Sequence, residues 1–430
     1  MLGSTLAAGA ALVGARRLAF AQPGDMPGMP MPQSPPPPRA VKPAAPNARF
    51  TPVVVPNGKT LPFETKGGVK IFHLVAEQVQ HQFAPGLDVH AWGYNGGTPG
   101  PLIEAVEGDR VRIYVTNKLE EPTTVHWHGV FVPNGMDGVG GLTQNYIKPG
   151  KTFRYEFTFG KPGTFMYHPH FDEMTQIALG MVGMIVVHPR ERTETRRVRD
   201  YSLMLHEWKV PIGAARPDPL AMNDFNVLTF NSKAFPATEP LVAEVGDLVR
   251  IRLANIGPMD HHPIHLHGMA FEVAETDGGQ VPKTARWPET TILVPVGSIR
   301  VIEFIANALG DWPMHCHMTH HVMNQMGHEA ANLIGADVKG LNEKLGRAVP
   351  GSMVMGETGM GDMMTMKMPK NSISMMGGKG PFDEIDMGGM FTILKVRAKL
   401  GADPSWYAHP KGTVADEASD AELARDGIKL

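Results

Sequence analysis

The chain repeats itself, and no other feature restricts its fold as strongly. GDRVRIYVTN at 108–117 matches GDLVRIRLAN at 246–255. Further on, a constant offset of 147 residues relates Gly150 to Gly297, Glu156 to Glu303, Phe157 to Phe304, Gly163 to Gly310, His168 to His315 and His170 to His317. In the first pair of segments the apolar residues alternate: Val111, Ile113 and Val115 in one, Val249, Ile251 and Leu253 in the other. That is the period of a strand with one buried face. Short runs of Val, Ile, Phe and Tyr, punctuated by Gly and Pro, surround them, as expected of a β-sandwich. A duplicated all-β chain follows.

The second repeat carries HCHMTHHVMNQM at 315–326, with the only cysteine of the 430 residues. A lone Cys cannot close an intrachain disulfide, so it serves as a buried thiol, a nucleophile or a metal ligand. A soft thiolate, two imidazoles and a weak thioether form the ligand set of a blue electron-transfer copper. Cys316, His321 and Met326 supply three of these, and another His must come from elsewhere. His315 and His317 flank the Cys, and on a strand they point away from it, free to hold metal on the far side. Three further clusters offer partners: HWHG (His126, His128), HPH (His168, His170) and HPIHLHG (His262, His265, His267). Together the four clusters use ten of the nineteen histidines, far more than isolated structural histidines account for. His73, His81, His90, His188, His206 and His409 lack the spacing and read as ordinary. His261, His320 and His328 lie close to candidate ligands, but spacing favours His262 and His321.

In this order and spacing, over roughly residues 50–330, the clusters resemble the multicopper oxidase family, which includes laccases, cuprous oxidases and ferroxidases. The resemblance implies a type 1 copper on His262, Cys316, His321 and Met326 and a type 2 copper on His126 and His265. It implies a type 3 pair on His128, His168, His170, His267, His315 and His317, hence four coppers per chain. It also implies two tandem cupredoxin-like Greek-key β-sandwiches. The implied reaction couples one-electron oxidation of a small reductant, Cu(I) or a phenol, to four-electron reduction of O2 to water, with a role in copper tolerance.

Pro169 stands where Cys316 stands in the second repeat, and a Pro side chain cannot ligate copper. The first repeat therefore has no blue site, which resembles the two-domain oxidases with the blue copper in the second domain. Those relatives are homotrimers whose trinuclear cluster lies between domain one of one subunit and domain two of the next, so the resemblance implies a trimer here. Asp137, nine residues after His128, sits where relatives carry a carboxylate near the type 2 copper. It could orient water and relay protons, or simply stabilise a Gly-rich turn. Val322 takes the place of the acid that follows the second blue-site His in some relatives.

Five segments are expected. Residues 1–21 read as an export signal, with AFA before a cleavage point after Ala21, which implies a bacterial periplasmic or secreted protein. Its apolar run is too short to span a membrane. Residues 22–48 form a Pro/Met-rich linker, 49–192 and 193–335 the two domains, and 336–430 a C-terminal extension. Within that extension, 353–390 holds eleven methionines. Thioethers prefer Cu(I), so this segment suggests cuprous-ion capture or else a low-complexity insert. GGMFTILKVR at 388–397 reads as one more strand.

Lys plus Arg at 40 against Asp plus Glu at 43 leaves the chain nearly neutral, which argues against nucleic-acid partners. Two other functions fit parts of the pattern. One is a copper-sequestering protein with incidental oxidase activity. The other, copper nitrite reductase, needs a blue site in the first repeat and only a three-histidine type 2 site, against Pro169 and the eight cluster histidines.

Overall fold

The computed structural model describes residues 50–191, 194–325, 340, 344, 347, 348, 370–375, 377–401 and 405–429. The expected export signal and linker lie outside these residues. The first repeat contributes β1 (Phe63–Lys66), β2 (Val69–Ala84), β3 (Leu87–Tyr94), β4 (Ile103–Val106), β5 (Arg110–Asn117), β6 (Thr152–Thr158), β7 (Gly163–Tyr167) and β8 (Gly183–His188). The second opens with β9 (Val198–Trp208), β10 (Val227–Phe230), β11 (Leu241–Glu244), β12 (Leu248–Asn255), β13 (His262–Leu266), β14 (Phe271–Thr276) and β15 (Gly279–Gln280). It continues with β16 (Pro288–Glu289), β17 (Thr291–Val294), β18 (Ser298–Ile305), β19 (Gly310–Cys316) and β20 (Phe391–Arg397). Among the described residues no helix is long and apolar enough to cross a membrane.

Four sheets result. The order β1-β2-β5-β6, with β3 on β2, and the order β4-β8-β7 belong to the first repeat. The order β10-β9-β12-β18-β14-β15, with β16 on β14, and the order β11-β20-β19-β13-β17 belong to the second. Alternation along each strand sends its apolar residues between the paired sheets. Val111, Ile113 and Val115 enter one core with Trp127, Tyr155 and Phe157. Val249, Ile251 and Leu253 enter another with Ile264, Met314 and Cys316.

The duplication extends to register. Arg110 pairs with Thr158 as Leu248 pairs with Ile305, and the same ladder runs on through both antiparallel pairs. An ion pair recurs at equivalent positions, Arg112 to Glu156 at 2.8 Å and Arg250 to Glu303 at 2.6 Å. So does an asparagine that ties the end of its strand to the following loop. Asn117 donates to the carbonyls of Glu121 and Ile147, and Asn255 to those of Asp260 and Val294.

The final strand changes the picture of the C-terminal part. β8 pairs parallel with β4 and antiparallel with β7; β20 pairs parallel with β11 and antiparallel with β19. β20 is therefore the second repeat's counterpart of β8. The strand expected at 388–397 closes the second sandwich, although the sequence reading sets 336–430 apart as an extension. Residues 317–390 form an insertion between the last two strands, where the first repeat needs only 168–182. Its methionines are not uniform either. Met375 and Met390 are buried, and Met387 packs against Phe235, Phe391 and Ile393; Met353 to Met368 and Met376 lie outside the described residues.

The two repeats share a seam. Met166, Met184 and Val186 of the first pack on Met204, Ile299 and Val301 of the second. Beside this apolar layer Arg252, 3% exposed, donates to both carboxylate oxygens of Asp200 at 2.7 and 2.9 Å and to Thr164 Oγ1 at 2.6 Å.

Candidate metal centres

Strand alternation on β19 separates two kinds of ligand. Met314 and Cys316 point into the second core, while His315 and His317 take the outer face. On the neighbouring β13, His262, Ile264 and Leu266 are buried and His265 lies on the outer face. The antiparallel register sets Ile264 against Cys316 and His265 against His315.

On the inner face, Cys316 Sγ lies 3.8 Å from His262 Nδ1 and 3.4 Å from His321 Nδ1, and the two ring nitrogens are 3.1 Å apart. All three residues are buried. Each imidazole is held by its other nitrogen: His262 Nε2 lies 3.3 Å from Glu207 Oε2, and His321 Nε2 3.4 Å from Asp260 Oδ2. One thiol and two Nδ1 atoms converging in this way suit a thiolate-and-imidazole metal, and carboxylate partners are the usual means of fixing the ligating tautomer. Burial pushes the Cys316 thiol up to about 12, so a metal entering here must displace its proton. Met326 lies outside the described residues. His261 is exposed and its Nδ1 accepts the Val296 amide, while His320 is exposed; His328 lies outside the described residues.

On the outer faces the eight cluster histidines form two quartets. In the first repeat Trp127 is buried in the core and turns its neighbours His126 and His128 outward. They meet His168 and His170, with ring centroids 5.3–6.4 Å apart across the group. His128 Nδ1 and His168 Nε2 are 3.3 Å apart, and His126, His128 and His168 can converge on one ion. In the second repeat His265, His267, His315 and His317 gather likewise, with His267 Nε2 3.2 Å from His315 Nε2. Among the described residues no ring contact joins one quartet to the other.

The rings are oriented from behind. His126 Nδ1 donates to the Asp137 carbonyl at 2.8 Å, with the Asp137 carboxylate 3.5 Å away. His168 and His315 bond by Nδ1 to the carbonyls of Pro169 and Cys316. His265 Nδ1 bonds to the Thr290 carbonyl at 2.7 Å, and His170 Nδ1 meets Glu173 at 2.8 Å. Burial depresses His168 to about 3 and lowers His128, His267 and His315. These imidazoles are therefore neutral near pH 7, the form that binds metal.

Among the described residues the first repeat has no counterpart of the inner-face site. Pro169 is buried where Cys316 would stand. Thr123 takes the place of His262, and its hydroxyl donates to Gln176 Oε1 at 2.7 Å. Three of the remaining histidines have ordinary partners: His73 meets Thr116, His90 meets Gln80 and His188 meets Glu104. Sequence reasoning missed Glu207, Asp260, Glu173 and Thr290. For Glu207 a signal existed, because a carboxylate within the apolar run YSLMLHEW marks a buried charge in need of a partner.

Residues 76–192 and 211–334, together more than half of the chain, each match the description "Multicopper oxidase". The chain belongs to the multicopper oxidase family. Its fold is similar to that of the blue copper oxidase from Nitrosomonas europaea, at 27% identity and TM-score 0.57 over 76% of this chain and 85% of that one. It is similar also to the multicopper oxidase mgLAC, at 26% identity and TM-score 0.58 over 80% and 91%. Multicopper oxidase MmcO of Mycobacterium tuberculosis is 30% identical over 223 residues, 44% of each chain. Copper resistance protein A of Pseudomonas syringae pv. tomato is 38% identical over 118 residues, 27% of this chain. The match spans only 19% of that relative's length.

Proposed function

We propose that this multicopper oxidase takes single electrons from Cu(I) or a phenol at the Cys316 site and delivers them to O2, which is reduced to water. The observation that carries the reading is the single strand β19. It turns the Cys316 thiol toward His262 and His321 and its two neighbours, His315 and His317, into an open histidine quartet. When bound, copper supplies one-electron chemistry at the inner site and multielectron reduction of O2 at the outer one. Cys316, His262 and His321, with the thioether of Met326, would hold the type 1 ion. His126 and His265 would hold the type 2 ion, and the other six cluster histidines the type 3 pair.

The chain's own groups have definite tasks. Cys316 shares a backbone with His315 and His317, so the two sites are joined by a few covalent bonds. Asp137 holds His126 by its carbonyl and presents a carboxylate, 32% exposed, that can hold a water or pass a proton. His321 and Asp260 mark the donor side, because the Asp260 side chain is 31% exposed and Met259 and Met318 are exposed nearby.

The two quartets belong together between chains. Each has four histidines on the outer face of its sandwich, of which His168 and His315 are buried, and exposed apolar residues adjoin both: Tyr146 and Met174 by the first, Leu293 by the second. A head-to-tail ring of cupredoxin-like Greek-key sandwiches, a trimer as in the two-domain relatives, completes both quartets in every subunit. The likeness to copper resistance proteins supports a role in copper tolerance.

Two experiments test the reading. Copper-loaded protein should show intense blue absorption and consume O2 with Cu(I) or a phenol; Cys316→Ser should lose the blue colour, and a variant that stays blue would sink the assignment. A chain with His128→Ala and His168→Ala, and another with His267→Ala and His315→Ala, should each be inactive alone. Unfolded and refolded together, they should regain activity, because some interfaces then pair two intact quartets.

A further inference from the structure

Glu207 is the only carboxylate in contact with His262 among the described residues, and its side chain is 0% exposed. Its Oε1 accepts the backbone N–H groups of Met259 at 2.6 Å and Asp260 at 2.8 Å, and its Oε2 lies 3.3 Å from His262 Nε2. The carboxylate thus ties together the ligand and the loop that leads into the ligand's strand. Room for it comes from Gly257, where a Cβ would lie 1.7 Å from Oε2.

The repeat supplies an internal control. Register pairs Leu205 with Asn255 and Ala76 with Asn117, so two residues further on Glu207 corresponds to Gln78, which is exposed. Gly257 corresponds to Leu119, since both donate their N–H to the equivalent asparagine, Asn255 or Asn117. The copy without a thiol thus has Gln, Leu and Thr where the copy with one has Glu207, Gly257 and His262. A carboxylate serving the sandwich alone would have no reason to follow the thiol.

We propose that Glu207 is a positioning residue of the blue site, fixing His262 with Nδ1 toward Cys316 and holding a bound copper toward its oxidised form. The inference rests on the copper reading above. A carboxylate accepting the ligand's N–H makes the imidazole a stronger donor, and a fixed negative charge in a water-poor interior favours the more positive ion. It also closes the far edge of His262, leaving His321 as the donor-facing ligand.

The test compares the copper-loaded parent with Glu207→Gln and Glu207→Asp by spectroelectrochemical titration of the blue band, alongside thermal melting of the metal-free forms. Glu207→Gln keeps an oxygen for the two backbone donors and loses the charge. Its Cu(II)/Cu(I) equilibrium should move at least tenfold toward Cu(I), about 59 mV upward for one electron. Copper affinity should fall about tenfold to a hundredfold. Glu207→Asp should stay within about threefold of the parent, because it keeps the charge. A Gln variant that remains blue with an unmoved equilibrium, whatever its melting temperature, makes Glu207 merely structural and overturns the inference while leaving the copper assignment intact. A parent that binds copper without turning blue removes the copper reading itself. NMR of nitrogen-labelled histidine in the metal-free parent needs no variant: His262 should carry its proton on Nε2, and a proton on Nδ1 overturns the inference.

Discussion

Asp200→Asn should be among the most damaging isosteric substitutions in this chain, although the residue touches no candidate ligand. Asp200 is 1% exposed and Arg252 3%, so neither charge is offset by water. The carboxylate accepts Nε and Nη2 of Arg252 at 2.7 and 2.9 Å and Nη1 of Arg250 at 3.1 Å. Burial alone would raise the Asp200 pKa, but the two guanidinium groups, Arg252 foremost, hold it below the usual carboxylate range. Among the described residues, Arg252 in the Asn variant keeps only Glu275, at 3.4 Å, as an anionic partner. Removing one member of a buried pair costs about 3–5 kcal/mol. At roughly 2–4 °C per kcal/mol for a domain of this size, the melting temperature should fall by about 6–20 °C. Calorimetry of the metal-free chain measures it, with Glu156→Gln as reference. That residue pairs with Arg112, whose side chain is 29% exposed, and with Arg110, at 60%, and because water screens these pairs its loss should move the melting temperature far less. Equal effects of the two substitutions would refute the argument that the seam is electrostatically closed.

Three further outcomes are expected. Asp137→Asn keeps the backbone carbonyl that orients His126 and removes only the carboxylate, so blue absorption should persist while turnover falls about tenfold to a hundredfold; unchanged O2 consumption would return Asp137 to a turn residue. His206, fully buried, is held near 4 against an ordinary 6.5 because burial outweighs the neighbouring Glu207 charge. The unfolded chain takes up this proton below pH 6.5 and the folded chain only near 4, so stability is lost as the pH falls from 6.5 to 4, by about 1.4 kcal/mol per pH unit at most from this residue. In His206→Phe the slope of unfolding free energy against pH should flatten by one proton; a slope that does not change refutes this. Deleting 353–369, which spares buried Met375 and Met390, should leave phenol oxidation intact and lower Cu(I) oxidation at limiting copper. Equal Cu(I) rates would show that these methionines do not capture the ion.

Much of the site was legible because ligand chemistry is local in sequence. HCH, HPH, HWH and HLH each place an inward residue between two outward histidines, and strand alternation alone separates Cys316 from His315 and His317. The repeat was legible for a similar reason: matched apolar alternation in GDRVRIYVTN and GDLVRIRLAN yields matched register. What escaped were contacts made across long separations by residue types with many uses. Glu207 meets His262 from another sheet, and Asp200 meets Arg252 through a parallel pairing that no motif marks. The role of β20 was hidden because its partners β11 and β19 lie far upstream, so that a strand after a long methionine-rich stretch reads as an appendage.

That placement of β20 has an energetic consequence. Closing a longer loop costs only about 0.6 kcal/mol for each doubling, and residues 317–390 exceed 168–182 by little more than two doublings. Growth of the insertion was therefore thermodynamically cheap, provided its ends stayed fixed. They are fixed at the candidate metal centre itself: the Met390 carbonyl accepts the Cys316 N–H at 3.0 Å, and the Met390 N–H donates to the His321 carbonyl at 3.0 Å. A single cut within 353–369 would turn the protein into two fragments that share one sheet, with every proposed blue-site ligand on the longer fragment and the strand that braces them on the shorter. The insertion can thus diverge in length and composition while the ligand loop it interrupts stays clamped.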